Sequence, residues 1–216
     1  MYLSLSMKPI VAAIALVLSP LAASSAEVYG GVGTTGAELG VAQALSGSLN
    51  VRLDANALGY STNFSTSGID YDARLKATTA GVYLDWFVVG GVRVTGGALL
   101  GSRKLHGTAT SSGSTIVLNG VTYPVAPGDA LDFDAKFPGA TPYLGLGYGH
   151  RTGAGLQLYA DVGVAYGRPK VTLSPTASLA AKVSPADLAA EQLLVQDKAD
   201  RYRAYPVLKV GLSYGF

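Results

Sequence analysis

The chain has 216 residues, with 28 glycines, 13 tyrosines, no cysteine and a net charge of +2. Only 14% of its residues are charged, against about 25% in an ordinary soluble domain. Without thiols there is no disulfide framework, no cysteine for a lipid anchor and no cysteine-based metal or nucleophile chemistry. The near balance of charge argues against a nucleic-acid binder, which carries a basic face or stripe.

At the start, Met7 and Lys8 precede an apolar run from Ile10 to Leu18, then Pro20 and the small-residue stretch AASSA. A basic start, a short apolar core and small residues at Ser24 and Ala26 define a secretory signal peptide over residues 1–26. The run is too short to span a bilayer as a helix, which sets aside an N-terminal anchor. Cleavage leaves residues 27–216 as one domain of 15 basic and 14 acidic residues, net +1, because Lys8 is the only charge in the leader. No apolar stretch in that domain reaches the length of a spanning helix.

The remaining chain alternates with a period of two, the signature of strands with two different faces. After EVYGGVG (residues 27–33) and a turn at TTG come Gly36 to Leu45 and then Leu49 to Asn63. In this last segment Val51, Leu53, Ala55 and Ala57 oppose Arg52, Asp54 and Asn56. Ile69 to Val88 sets Asp70, Asp72, Arg74 and Lys76 against Ile69, Tyr71, Ala73 and Leu75; Asp85 then lies on odd numbering, so a β-bulge is expected near Thr78 to Gly81. Further strands are expected at Val92 to Lys104, Leu131 to Tyr148, Leu156 to Val171 and Arg201 to Phe216, with hairpin-like TIVLNGVTY at 115–123. Ser184 as a cap, Pro185 and Asp187 announce a helix over Ala186 to Val195.

Alternation alone also fits a soluble sandwich. The connections and aromatics decide. Short turns at 46–48, 89–91 and 150–155 alternate with longer connections at 65–68, 107–130 and 172–200, the asymmetry of a membrane barrel. Trp86, Phe87, Tyr148, Tyr214 and Phe216 fall near the short turns, and Tyr60, Tyr71, Phe133, Tyr166 and Tyr202 near the long loops, as two aromatic belts would require. Trp86, Phe87, Tyr148 and Tyr166 are the foremost interface aromatics.

Residues 27–216 resemble the small outer-membrane β-barrel proteins of Gram-negative bacteria, the group that includes the OmpA membrane domain, OmpX and OmpW. The sharpest element is the end of the chain, where Val210, Leu212, Tyr214 and Phe216 match the alternating, aromatic-terminated strand that the resemblance identifies as the signal for the barrel-assembly machinery. Seven strands read directly from the sequence; an even number is required, and residues 27–33 supply the eighth. The expected fold is therefore all-β, an antiparallel transmembrane barrel of eight strands with a short helix in a long extracellular loop, located in the outer membrane.

Chemistry-bearing residues are sparse. His106 and His150 are placed toward opposite ends, and His106 with Ser102 lacks an acid in obvious register. Asp70, Asp72, Asp132 and Asp134 offer carboxylates for a cation, but Arg74, Arg103, Lys104 and Lys136 share those strand ends, so ion pairing is expected. GGVGTTG precedes neither a helix nor GK[ST] and is not a phosphate loop. No metal, cofactor or catalytic residue is expected. The inward set Arg52, Asp54, Asn56, Asp85, Arg93, Thr95, Gln157, Asp161, Arg203 and Lys209 is the informative constellation. Its charged members, Arg52, Asp54, Asp85, Arg93, Asp161, Arg203 and Lys209, form a lumen charge network in an interior that side chains of eight strands fill. This favours a non-enzymatic outer-membrane protein that works through its loops. The rival is a narrow porin or uptake channel for small polar or charged solutes; a lipid-modifying enzyme of the outer leaflet comes third. Expected partners are outer-membrane lipid and lipopolysaccharide, the assembly machinery during biogenesis, a small solute if the lumen conducts, and no nucleic acid.

Overall fold

The computed structural model describes residues 25–66, 69–111, 113–151 and 153–216; the expected signal peptide, up to residue 24, lies outside the described residues. Among the described residues twelve strands and two helices follow in chain order: β1 (Ala26–Gly33), β2 (Gly36–Ala44), β3 (Leu49–Thr66), β4 (Ile69–Val89), β5 (Val92–Ser111), β6 (Thr115–Leu118), β7 (Val121–Pro124), β8 (Ala130–Lys136), β9 (Ala140–Tyr148), β10 (Gly155–Tyr166), β11 (Lys170–Pro175), α1 (Ala177–Ala180), α2 (Pro185–Ala199) and β12 (Ala204–Gly215). Neighbours pair antiparallel in the order β1-β2-β3-β4-β5-β9-β10-β12, and β12 returns to β1 through Val28 opposite Tyr214 and Gly33 opposite Lys209. The sheet thus closes on eight staves, and closure pairs the backbone groups that an open edge would strand in lipid.

Residues 27–33, the weakest of the strands in the sequence, form β1 and complete the even count. The hairpin at 115–123 also exists, as the separate pair β6–β7 joined through Asn119 and Gly120 at φ 52° and 77°, the backbone a two-residue hairpin demands. Two long strands are each broken in two. β8 and β9 flank Phe137–Pro138–Gly139, and β10 and β11 flank Gly167–Arg168–Pro169, where the prolines lack an N–H for the ladder.

The expected bulge near Thr78 is absent. β3 and β4 stay in register from Leu49 opposite Trp86 to Thr66 opposite Ile69, and odd residues of β4 face the axis throughout. Asp70, Asp72, Arg74 and Lys76 therefore face outward. The charge pattern changes sides because the upper wall leaves the membrane, where outward positions meet water instead of lipid. A register shift does occur lower down, between Phe87 and Val89.

The aromatic placements are also corrected in part. Trp86, Tyr148, Tyr166, Tyr214 and Phe216 are exposed on the outer face, whereas Phe87 follows Tyr83 and Asp85 onto the axial face and is half-buried. Tyr71 stacks on Phe64, and Phe133 packs into an apolar cluster, so neither belongs to an upper belt.

One wall rises well above the other: β3, β4 and β5 run for 18, 21 and 20 residues, β1 and β2 for 8 and 9. The tall wall, extended by β8 and β11, carries a small core of its own, in which Ile116, Leu118, Leu131, Leu173, Leu179 and Val183 are buried together. α2 begins as read, with the Ser184 hydroxyl accepting from the Ala186 N–H at 3.2 Å, and runs one turn past Val195. It guards the free edge of β11: the side-chain carbonyls of Gln196 and Gln192 accept from the N–H groups of Val171 (2.8 Å) and Leu173 (3.3 Å). Asn119 joins the hairpin to α2, its N–H donating to Glu191 at 2.7 Å and its side chain to Asp187 at 3.0 Å.

Candidate functional site: the charged lumen

Even positions of β3 and odd positions of β4, β5, β9, β10 and β12 point to the axis, which brings charges far apart in sequence into one layer. Arg52 of β3 approaches Asp85 of β4 (Nε to Oδ2, 2.5 Å) and Asp161 of β10 (3.2 Å). Arg93 of β5 reaches the same two carboxylates at 3.3 and 2.5 Å. Asp85 also accepts from the Thr95 hydroxyl at 2.6 Å, and Arg93 donates to the Gly149 carbonyl at 2.8 Å. This four-membered ring of alternating charge is almost inaccessible: Arg93 and Asp85 are 0% exposed and Arg52 2%.

A second group lies one step toward the exterior. The Lys209 ammonium sits 2.6 Å from Glu38 and 2.7 Å from Asp54, and contacts the Tyr83 hydroxyl at 3.3 Å. Tyr159 donates a short hydrogen bond to the other oxygen of Glu38, and Asn56 donates to Asp54 at 2.6 Å. At the short-turn end His150 forms a short contact with Glu27 and packs against the rings of Tyr29 and Tyr159. Above the charges lies an apolar layer of Leu99, Tyr143, Ala165 and Val207, then Arg103, which donates to Thr141 at 2.7 Å beside Phe137 and Tyr205.

Six of the seven charged residues singled out in the sequence therefore meet in two buried groups. Arg203 does not: it precedes β12, is half-buried, and donates from Nε to the Asp200 carbonyl at 2.7 Å. Gln157 is also partly exposed and turns to the carbonyls of Arg151 and Gly153 near the short turn. Glu27, Glu38, Tyr29, Tyr83 and Tyr143 were missed as lumen residues, whereas Tyr159 alternates with Leu158 and Ala160 onto the face of Asp161 in the sequence and is buried there. The signal for Glu38 was present, since Glu38, Gly40 and Ala42 alternate with Leu39 and Val41. Each of these tyrosines lies across a glycine: Tyr29 over Gly40, Tyr83 over Gly81 and Gly97, Tyr143 over Gly145 and Gly163, Tyr159 over Gly31 and Gly211. Without a side chain at these positions the rings lie flat against the wall.

The outward charges at the top of the tall wall do not pair as expected. His106 stands in register with Asp134, 3.1 Å from it, and Asp132 accepts from Thr108 at 2.6 Å. Arg103 turns inward, away from these carboxylates. No hydroxyl among the described residues is hydrogen-bonded to the His106 ring, and none of their His, Asp and Glu side chains form a metal-holding group of three.

The outer face of the barrel is apolar. Leu156, Leu158, Val162, Leu144, Leu146, Val210 and Leu212 are all exposed there, an area of apolar surface that a water-soluble monomer does not carry. No helix among the described residues is long and apolar enough to cross a membrane.

No protein-family model matches the sequence, and no curated protein matches it. Solved structures do. CarO2 of Acinetobacter baumannii aligns with a TM-score of 0.65 at 20% identity, over 89% of this chain and 98% of that one. CarO of the same organism gives 0.60 and 18%, over 88% and 97%. A major outer membrane protein from Thermus thermophilus gives 0.43 and 16%, over 89% and 97%. The closed antiparallel sheet, its outward apolar band and the likeness to the two Acinetobacter structures make this chain an eight-stranded β-barrel of the outer-membrane type.

Proposed function

We propose that the protein is a non-enzymatic integral outer-membrane barrel whose interior is locked against steady solute flow and whose working surface is the extracellular assembly of β6, β7, β8, β11, α1 and α2. The observation that carries this reading is the ring Arg52–Asp85–Arg93–Asp161, which ties β3, β4, β5 and β10 together across the axis. Charges so placed satisfy one another and leave no hydrated row along which ions would move. The apolar layer of Leu99, Tyr143 and Val207 above it supports the same reading, since an ion crossing it loses its water without a replacement.

The test is electrical. Reconstituted protein in a planar bilayer is expected to give no steady conductance. A large, reproducible conductance whose ion selectivity moves in opposite directions on Arg93→Gln and Asp85→Asn would replace this reading with that of a narrow uptake channel.

A further inference from the structure

Lys76 of β4 stands opposite Lys104 of β5, Lys104 opposite Lys136 of β8, and Lys136 opposite Lys170 of β11. Four ammonium groups thus form one continuous row across four adjacent strands. All four side chains are exposed and lie on the outward face. Like charges placed directly opposite one another destabilise a sheet, and among the described residues none of the four is ion-paired. Of the three acids in the two rows above, Asp134 is directed to His106 and Asp132 to Thr108, and Asp72 stands four residues from Lys76 along β4 without an ion pair to any of the four. The row therefore lacks a counter-charge from the protein itself.

Its height says what supplies one. On β4 the outward residues from Trp86 to Lys76 are Leu84, Val82, Ala80 and Thr78, a climb of ten residues. At about 3.3 Å per residue and a strand tilt of roughly 40°, this amounts to about 25 Å, the height of the apolar band of such barrels. Trp86 marks one edge of that band and the lysine row the other. The row sits where phosphorylated headgroups of the outer leaflet begin.

We propose that Lys76, Lys104, Lys136 and Lys170 form a binding ladder for the phosphate groups of an outer-leaflet lipid of the lipopolysaccharide class. This rests on the outer-membrane barrel reading and adds to it a specific lipid contact. Strand spacing of about 4.8 Å gives the ladder a length of about 14 Å, enough to face more than one phosphate of a single headgroup. Lysine suits the task as a point charge for phosphate. The tall wall, which carries the extracellular assembly, would then be tethered to the leaflet beside it.

The experiment compares the native protein with the quadruple variant Lys76→Gln, Lys104→Gln, Lys136→Gln, Lys170→Gln and with single Lys136→Glu. Each is extracted from outer membranes in mild detergent, and bound lipopolysaccharide is quantified per folded, heat-modifiable barrel. Each is also titrated with purified lipopolysaccharide and with its dephosphorylated form. Lipid affinity is expected to fall roughly fivefold for each lysine removed, and dephosphorylated lipid is expected to bind native protein as weakly as lipopolysaccharide binds the quadruple variant. Arg151→Gln, at the short-turn end of the barrel and so far from the row, should leave binding unchanged. Inserted variants that retain as much lipid as the native protein would overturn the ladder alone. Displacement of the lipid by millimolar inorganic phosphate would overturn the lipid assignment in favour of a free anion. A native chain that fails to insert into bilayers would overturn this inference and the barrel reading together.

Discussion

Arg93 on β5 and Asp161 on β10 meet 2.5 Å apart directly over Gly147 of β9, the residue that stands opposite both. A methyl group at Gly147 would lie 2.6 Å from the Arg93 guanidinium carbon and would also strike the Asp161 carboxylate. The ion pair therefore depends on a side chain that is absent. Gly147→Val should force the two apart and cost about 1 to 3 kcal/mol, the usual range for overpacking. The midpoint of heat-induced unfolding, read from gel mobility, checks this; an unchanged midpoint would show that the ring is not held over that position.

Asp85 bridges both arginines of the ring, so its removal is worse than the removal of a whole pair. Asp85→Asn leaves two adjacent buried cations with one carboxylate between them and should cost about 3 to 5 kcal/mol. Adding Arg93→Met to that variant should recover much of the loss, because it removes the surplus charge. Urea unfolding in lipid vesicles of the two single variants and the double measures the coupling directly.

Val162 and Leu158 are exposed on the outer face of β10, while Asp161 between them is buried. Arginine at either outward position should lower stability by about 2 to 4 kcal/mol near the bilayer midplane. Gln157→Arg, at the partly hydrated short-turn end of the axial face, should be tolerated better. Equal losses on the two faces would contradict the assignment of lipid and lumen.

Phe216 has its ring on the outer face against Tyr214. Deleting Phe216 should sharply reduce the heat-modifiable protein in the outer membrane while export across the inner membrane continues. Pulse-labelled fractionation separates those steps; normal insertion of the shortened chain would show that Phe216 is only an interface residue.

In the extracellular assembly, hydrogen bonds from Lys182 and Ser178, and from the Ala126 N–H, hold the Asp129 carboxyl down at about 2, below its ordinary 3.8. The Lys182 ammonium lies 2.5 Å away and ties α1 to the start of β8. Because the folded value is the lower one, this stabilisation is complete above about pH 4 and is lost as pH falls toward 2. Pepsin cleavage within the connections that hold Asp129 and Lys182, residues 125–129 and 176–184, should therefore rise steeply across that window while the barrel stays intact. In Asp129→Asn the cleavage should be high already at pH 4, and a native profile flat across the window would remove Asp129 from this role.

Period-two alternation was enough to determine that this chain closes a barrel, because a membrane leaves the backbone no other strand-based solution. The same alternation placed Arg52, Asp54, Asp85, Arg93, Asp161 and Lys209 on inward faces. It did not say which of them meet, since register and shear are set between strands and are invisible within any one of them. The unbroken phase of β4 was misread for a related reason: polar residues mark the lumen only where the other face touches lipid, and Asp70, Asp72, Arg74 and Lys76 lie on the outward face beyond the apolar run from Ala80 to Trp86. Three inward tyrosines, Tyr29, Tyr83 and Tyr143, were hidden because the glycines that receive them lie on neighbouring strands or two positions away, and a sequence shows a missing side chain without showing what fills its space. The lysine row belongs to the tertiary structure in the same way: Lys76, Lys104, Lys136 and Lys170 are separated by about thirty residues each along the chain and come together only when cross-strand pairing, which follows from closure at a spacing of about 4.8 Å, sets them side by side.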